Sequence, residues 1–253
     1  MATSRRTIPG LIAVGLAIGL VVAACSSSSS GSSPSAPPGG PSAAGASGGA
    51  SLVAGLYSNL DGLSSYRFTW NLSGSSTGTG ASPGYSGSLS VSGTIINNKP
   101  SPEAWVNDQG LQFIVIGNQA WLSSDGNSWT ITDPTAFSVT DLLPGHSYAT
   151  WFDAHSTDFS SVGEETKNGI ACIHYTGDLS LRNLYGGPTG VSARFQADLW
   201  VARDGSYPVS GVYGFPVAAG GQAGSFYYSF DVTNVDDASN KVTPPTNVIS
   251  VPT

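Results

Sequence analysis

The chain has 253 residues, 16 of them acidic against nine Lys and Arg, and only 10% are charged, where an average domain has roughly 25%. The net charge of −7 argues against nucleic acid as a partner and against electrostatic docking on anionic lipid. Thirty-three glycines and a 10% share of aromatics point to β structure.

Residues 1–24 read as a secretory signal peptide, with Arg5-Arg6, an apolar run from Ile8 to Val22, and small residues after it. The run is too short and too rich in glycine to span a membrane, which takes roughly 20 apolar residues. Val22-Ala23-Ala24-Cys25 resembles the bacterial lipobox, whose cysteine receives diacylglycerol and becomes the first residue of the mature chain. A thiolate suits that role as a nucleophile. Ser4-Arg5-Arg6 partly resembles a twin-arginine export signal, although Ile8 stands where an aromatic is usual, so that route and the general secretory route both stay open.

Residues 25–50 are almost wholly Ser, Gly, Pro and Ala beyond the cysteine. That composition buries no core and behaves as a flexible tether with an r.m.s. span of roughly 25–30 Å. Several acyl chains on Cys25 would hold the protein far better than one. The expected location is the cell envelope, on the outer face of the bacterial cytoplasmic membrane. With Cys25 lipidated, Cys172 has no disulfide partner.

Residues 51–253 fit one domain. Leu52, Leu56, Leu60 and Leu63 recur at helical spacing, which predicts an amphipathic helix ended by Gly62. The period then changes to two. Tyr66, Phe68, Trp70 and Leu72 alternate with polar residues, as do Leu89, Val91, Gly93 and Ile95, then Phe195, Ala197, Leu199 and Val201, and finally Phe226, Tyr228, Phe230 and Val232. "LQFIVI" (111–116) is apolar at both parities, so both its faces should be covered. Gly117-Asn118, Asp125-Gly126, Asn168-Gly169 and Asp204-Gly205 predict two-residue hairpin turns and hence an antiparallel meander. Residues 133–159 interrupt it with two expected short helices, broken at Pro144-Gly145.

Four stretches in this order resemble the LolA-like fold, and more closely its lipid-anchored LppX/LprG-type members. They are "VIGNQAWLSSDGNSWT" (115–130), "VGEETKNGIACIHYTGDL" (162–179), "FQADLWVARDGSYPV" (195–209) and "FYYSFDVTNVDDASNKVTPP" (226–245). The resemblance spans about residues 50–250. It implies a mainly β, α+β architecture: an open antiparallel half-barrel with helices covering an apolar concave face whose cavity takes acyl chains. Tyr66, Phe68, Trp70, Leu89, Val91, Phe195, Leu199, Phe226, Tyr228 and Phe230 are the candidates for that face. The competing reading is an ordinary packed core without a cavity.

Other constellations carry less. G-x-S-x-G occurs at 45–49, 74–78 and 80–84, in what read as Gly/Ser loops rather than the strand–turn–helix of a nucleophile elbow. Cys172 and His174 share a strand face and His155 could approach, but structural metal sites need about four ligands, so neither metal nor cofactor is expected. Glu164-Glu165 and Asp236-Asp237 read as solvated hairpin ends, since strand neighbours point to opposite faces. Asn71-Leu72-Ser73 matches a glycosylation sequon, idle in a lipoprotein of bacterial type.

The sequence therefore leads to a monomeric, non-enzymatic lipoprotein that joins the membrane through Cys25 and binds, or passes on, an acylated hydrophobic ligand. The alternative is a protein-interaction or sensor module of the same fold, with an envelope protein as partner. A surface hydrolase would need a Ser/His/acid set that the sequence does not display.

Overall fold

In the computed structural model, the residues described are 56–77, 85–97, 101–134, 159–180, 194–219 and 222–249. The signal peptide, Cys25, the tether and most of the 133–159 insert lie outside them.

Twelve strands form one sheet. In chain order they are β1 (Ser65–Thr77), β2 (Tyr85–Ile96), β3 (Glu103–Asp108), β4 (Leu111–Ile116), β5 (Gln119–Ser123), β6 (Trp129–Thr132), β7 (Phe159–Lys167), β8 (Ile170–Ser180), β9 (Arg194–Ala202), β10 (Pro208–Ala219), β11 (Gln222–Thr233) and β12 (Val248–Ile249). Their order across the sheet is β12-β6-β5-β4-β3-β2-β1-β11-β10-β9-β8-β7. The sheet is open, with β7 and β12 at its edges, and every pairing is antiparallel except the short parallel contact of β12 with β6. Two meanders, β1 to β6 and β7 to β11, thus meet where the first strand pairs with β11.

The sheet curls strongly at one end. Strands three places apart in a flat sheet lie about 14 Å from one another. Yet Asn168, at the tip of the β7–β8 hairpin, donates from Nδ2 to the carbonyl of Val232 at the end of β11 (3.1 Å) and to Asp231 Oδ1 (3.1 Å). That hairpin has the predicted two-residue turn, with Asn168 at φ 53° and Gly169 at φ 80°. Gly117-Asn118 also makes a two-residue connection, between β4 and β5. Asp125-Gly126 and Asp204-Gly205 instead fall within five-residue loops, 124–128 and 203–207. In the first of these, the Asp125 carboxylate accepts from the backbone N–H groups of Asn127 and Ser128 (2.8 Å each), so side-chain bonding replaces the tight turn.

The described part of the predicted first helix is one 3₁₀ turn, Ser58–Gly62. Its apolar positions behave as the leucine spacing implied: Leu56 and Leu60 are buried and Leu63 packs beside them. Asn97 Nδ2 donates to the Leu60 and Leu63 carbonyls (3.0 and 2.7 Å) and closes its C-terminal end. "LQFIVI" is β4, and its three consecutive residues Phe113, Ile114 and Val115 are all buried, so both faces are covered.

Candidate ligand-binding face

Register places the alternating apolar residues in rows that run across the strands on one face, since directly paired residues share a face. Nearest the curled end, Ile95 pairs with Tyr66. The next row runs Val106, Gly93, Phe68, Val232. A third runs Asp108, Val91, Trp70, Phe230, Gly211, Leu199, Tyr175. A fourth runs Leu89, Leu72, Tyr228, Tyr213, Ala197, Gly177, Phe159.

Of the ten sequence candidates for this face, Tyr66, Phe68, Val91, Leu199, Tyr228 and Phe230 are buried in one continuous cluster. Trp70 and Leu89 pack against it half-buried. Backbone register pairs Phe226 with Gly74 and Phe215, and Phe195 with Leu179, but the side chains of Phe195 and Phe226 lie outside the described residues.

Two glycines shape the face. Gly93 lies opposite Phe68, and a Cβ there would come within 2.6 Å of the Phe68 ring and 2.7 Å of the Trp105 carbonyl oxygen. Gly211 lies opposite Phe230, whose ring covers it so closely that a Cβ would meet three of its carbons. Glycine in mid-strand marks such a close approach. Each ring therefore lies down on its neighbouring strand, and the Phe230 ring also meets Tyr57 at 5.8 Å between centroids. Tyr213 and Tyr228 stack at 4.4 Å, and Trp70 meets Tyr228 edge-on at 5.6 Å.

Burial is uneven along the rows. Toward the curled end, Tyr66 and Ile95 are 1% exposed and Val209 is fully buried. Burial holds the Tyr66 phenol far above its usual range, with a smaller push from the carboxylate of Asp61. Asn59 Nδ2 donates to the Ser206 carbonyl (2.8 Å), tying the 3₁₀ turn over that end. Trp70, Leu72 and Leu89, on the first two strands in the third and fourth rows, are only half-buried, as is Ile173 on β8.

The opposite face carries its own apolar cluster of Ile114, Trp121 and Trp129, with Trp105, Ile116 and Val242 against it. The C-terminal segment crosses it, leaving an open groove of ≈ 320 Å³ lined by Trp105, Ile114, Trp129, Lys241, Pro244 and Pro245 among others. Sequence reading placed a cavity on the concave face and missed this groove. The alternation of Trp105, Ile114 and Trp121 against Val106, Phe113 and Ala120 was its available signal.

Cys172 and His174 are the buried thiol and hydrogen-bonded histidine that were expected in place of a metal pair. His174 does not join Cys172: its Nδ1 faces Glu165 Oε1 and its Nε2 faces Asp198 Oδ1, each at 3.0 Å, and its ring stacks on Trp200 at 4.5 Å. Trp200 Nε1 donates to Glu165 Oε2 (2.8 Å), and this bond, then that of His174, holds the Glu165 carboxyl below its usual range. Glu165 is thus half of a cross-strand network rather than a bare hairpin end, while Glu164 reaches Arg203 (3.4 Å). Cys172 is buried, donates to the Ile170 carbonyl (3.3 Å), and has its thiol pushed up by burial. His155 lies outside the described residues.

Asp236 accepts from the backbone N–H groups of Ser64 and Ser65 (2.6 and 3.1 Å), where β1 begins. Gly74 to Thr77, read as loop, belong to that strand, which removes the middle G-x-S-x-G from contention as an elbow.

No family model matches the chain, and no curated protein matches it. Among solved structures it is similar to the lipoprotein LppX of Mycobacterium tuberculosis, at 17% identity over 73% of this chain and 93% of that chain, with a TM-score of 0.37. It is similar to LprF of Mycobacterium bovis at 13% identity over 75% and 93%, with a TM-score of 0.42. It is also similar to the MucA/MucB complex of Pseudomonas aeruginosa at 15% identity over 78% and 64%, with a TM-score of 0.27. These likenesses concern the fold alone.

Proposed function

We propose that the protein is an exported lipoprotein of the cell envelope, held to the membrane through Cys25, whose half-barrel binds the acyl part of a hydrophobic ligand without catalysing a reaction. The observation that carries this reading is the continuous apolar cluster on one face of an open sheet, with Trp70, Leu72 and Leu89 half-buried on it. A chain laid there gains about 0.8 kcal/mol for each CH₂ removed from water. The short helices expected of the 133–159 insert would complete the cover in this reading, and the tether gives the trough room to meet a second membrane component or an envelope partner.

The test is native mass spectrometry of the mature protein, followed by denaturing release and analysis of what was bound. A released mass of lipid size, lost on replacing Trp70 by Asp while the unfolding midpoint changes little, is the expected result. A clean apo mass from well-folded protein would overturn it.

One observation favours a second reading. The Phe68 and Phe230 rings lie flat over Gly93 and Gly211 and fill the middle of the trough with the protein's own side chains. A protein-binding or sensor module of the same fold would look like this and would purify without lipid.

A further inference from the structure

The third row across the concave face breaks its own pattern at one end. From Val91 through Trp70, Phe230, Gly211 and Leu199 to Tyr175 it is aromatic, aliphatic or glycine, and its last position on β3 is Asp108. The side chain of Asp108 is half-buried, and its Oδ1 is buried with no hydrogen-bond partner among the described residues. Burial pushes the carboxyl up, against a smaller opposing bond from the Gln109 side chain. A buried carboxylate oxygen without a donor is costly, so folding alone gives no reason to keep an acid here.

Its neighbours suggest the reason. Asp108 pairs directly with Val91, whose own neighbour is Trp70, and Leu89 lies two residues along the same strand. Trp70 and Leu89, with Leu72 opposite Leu89, are half-buried apolar residues of the third and fourth rows. A buried carboxylate oxygen of the face that lacks a hydrogen-bond partner among the described residues therefore stands beside half-buried apolar side chains. Beyond Asp108 the third strand turns away at Gln109-Gly110, so the fourth row has no β3 member to crowd a ligand there.

We infer that Asp108 reads the polar head of the ligand, its free Oδ1 accepting a hydrogen bond from a hydroxyl or ammonium group while the chain lies over Trp70, Leu72 and Leu89. The inference rests on the acyl-binding reading above. It adds that the ligand is amphiphilic and carries a donor close to its chain, which excludes wax esters and hydrocarbons as preferred ligands.

The test uses the full-length lipoprotein and three probes with the same sixteen-carbon chain: 1-monopalmitoylglycerol, hexadecylammonium and methyl palmitate, which has no donor. Wild type should bind at least one donor-bearing probe about tenfold more tightly than methyl palmitate, as one hydrogen bond to a charged acceptor implies. Asp108→Leu should erase that preference and leave methyl palmitate binding unchanged. Asp108→Asn keeps an acceptor without charge, so it should retain a preference for the glycerol head and lose one for the ammonium, which tells the two donors apart. If methyl palmitate binds as tightly as the others in wild type, or if Asp108→Leu keeps the preference, the assignment of Asp108 fails and the acyl-binding reading stands. If wild type binds none of the three, both fail together.

Discussion

At the scale of single residues, the two glycines under phenylalanine rings make the sharpest claim. Overpacking a tight site costs about 1–3 kcal/mol, so Gly93→Ala and Gly211→Ala should each lower stability by about that much in urea unfolding. Their rescue should differ. The three atoms nearest to a Cβ at Gly211 all belong to the Phe230 ring, so Phe230→Leu should relieve Gly211→Ala and the pair should be strongly non-additive. At Gly93 the Trp105 carbonyl oxygen also stands in the way, and backbone cannot move aside, so Phe68→Leu should relieve Gly93→Ala only in part. Equal rescue at both sites would mean that the rings do not lie where they are described. Gly93 was legible in the sequence as a break in an apolar alternation, but its partner was not, because register is set by the whole sheet rather than by one strand.

At the scale of elements, strands were legible and their connections less so. Of the residues that the period-two alternation singled out on β1, β2, β9 and β11, Tyr66, Phe68, Val91, Ile95, Ala197, Leu199, Val201, Tyr228, Phe230 and Val232 are buried, Trp70, Leu72 and Leu89 are half-buried, and the side chains of Phe195 and Phe226 lie outside the described residues. The loops 124–128 and 203–207 were misjudged as tight turns because a Gly after Asp does not reveal how many residues the side chain will gather around it. The C-terminal segment was legible only as a proline-rich ending. It is a strap: Asn240, buried, donates to Ser65 Oγ (2.9 Å) and accepts from Arg67 Nε (3.1 Å), Val242 packs on the outer cluster, and Trp129 N–H donates to the Asn247 carbonyl (2.9 Å) before β12 joins β6. Nothing in its composition says which face it will cross, since that depends on pairings over a hundred residues away. Val242→Asp should therefore loosen the strap, exposing Trp105 and Trp129 to solvent with a red shift in fluorescence and increased quenching by acrylamide. Because the strap lies outside the main core, the concave cluster should unfold at nearly the wild-type midpoint. A loss of the whole fold would show that the strap is part of that core.

At the scale of the whole molecule, the question is what holds the protein to a membrane. Removing Arg5 and Arg6 with the signal peptide leaves seven basic residues against 16 acids, a net charge of about −9, which anionic lipid repels. Among the described residues no helix is long and apolar enough to cross a bilayer. Among the described residues the exposed large apolar groups are Ile131, Val248 and Ile249 on the paired β6 and β12, and Val162 and Tyr227 elsewhere. On the lipoprotein reading attachment rests on Cys25, and two treatments should separate it from electrostatic attachment. Washing membranes with about 0.5 M salt, which shortens the screening length to a few Å, should release none of the wild-type protein, because nothing electrostatic holds it. Cys25→Ser should leave the chain unacylated and either secreted or stalled with its signal peptide uncleaved. Treatment of that variant's membranes with salt distinguishes the two fates from residual adhesion, since a stalled precursor keeps its larger mass and resists the wash. Wild-type protein released by salt, or a serine variant still carrying diacylglycerol, would mean that the tether is not an anchor, and the trough would then have to meet its ligand from solution.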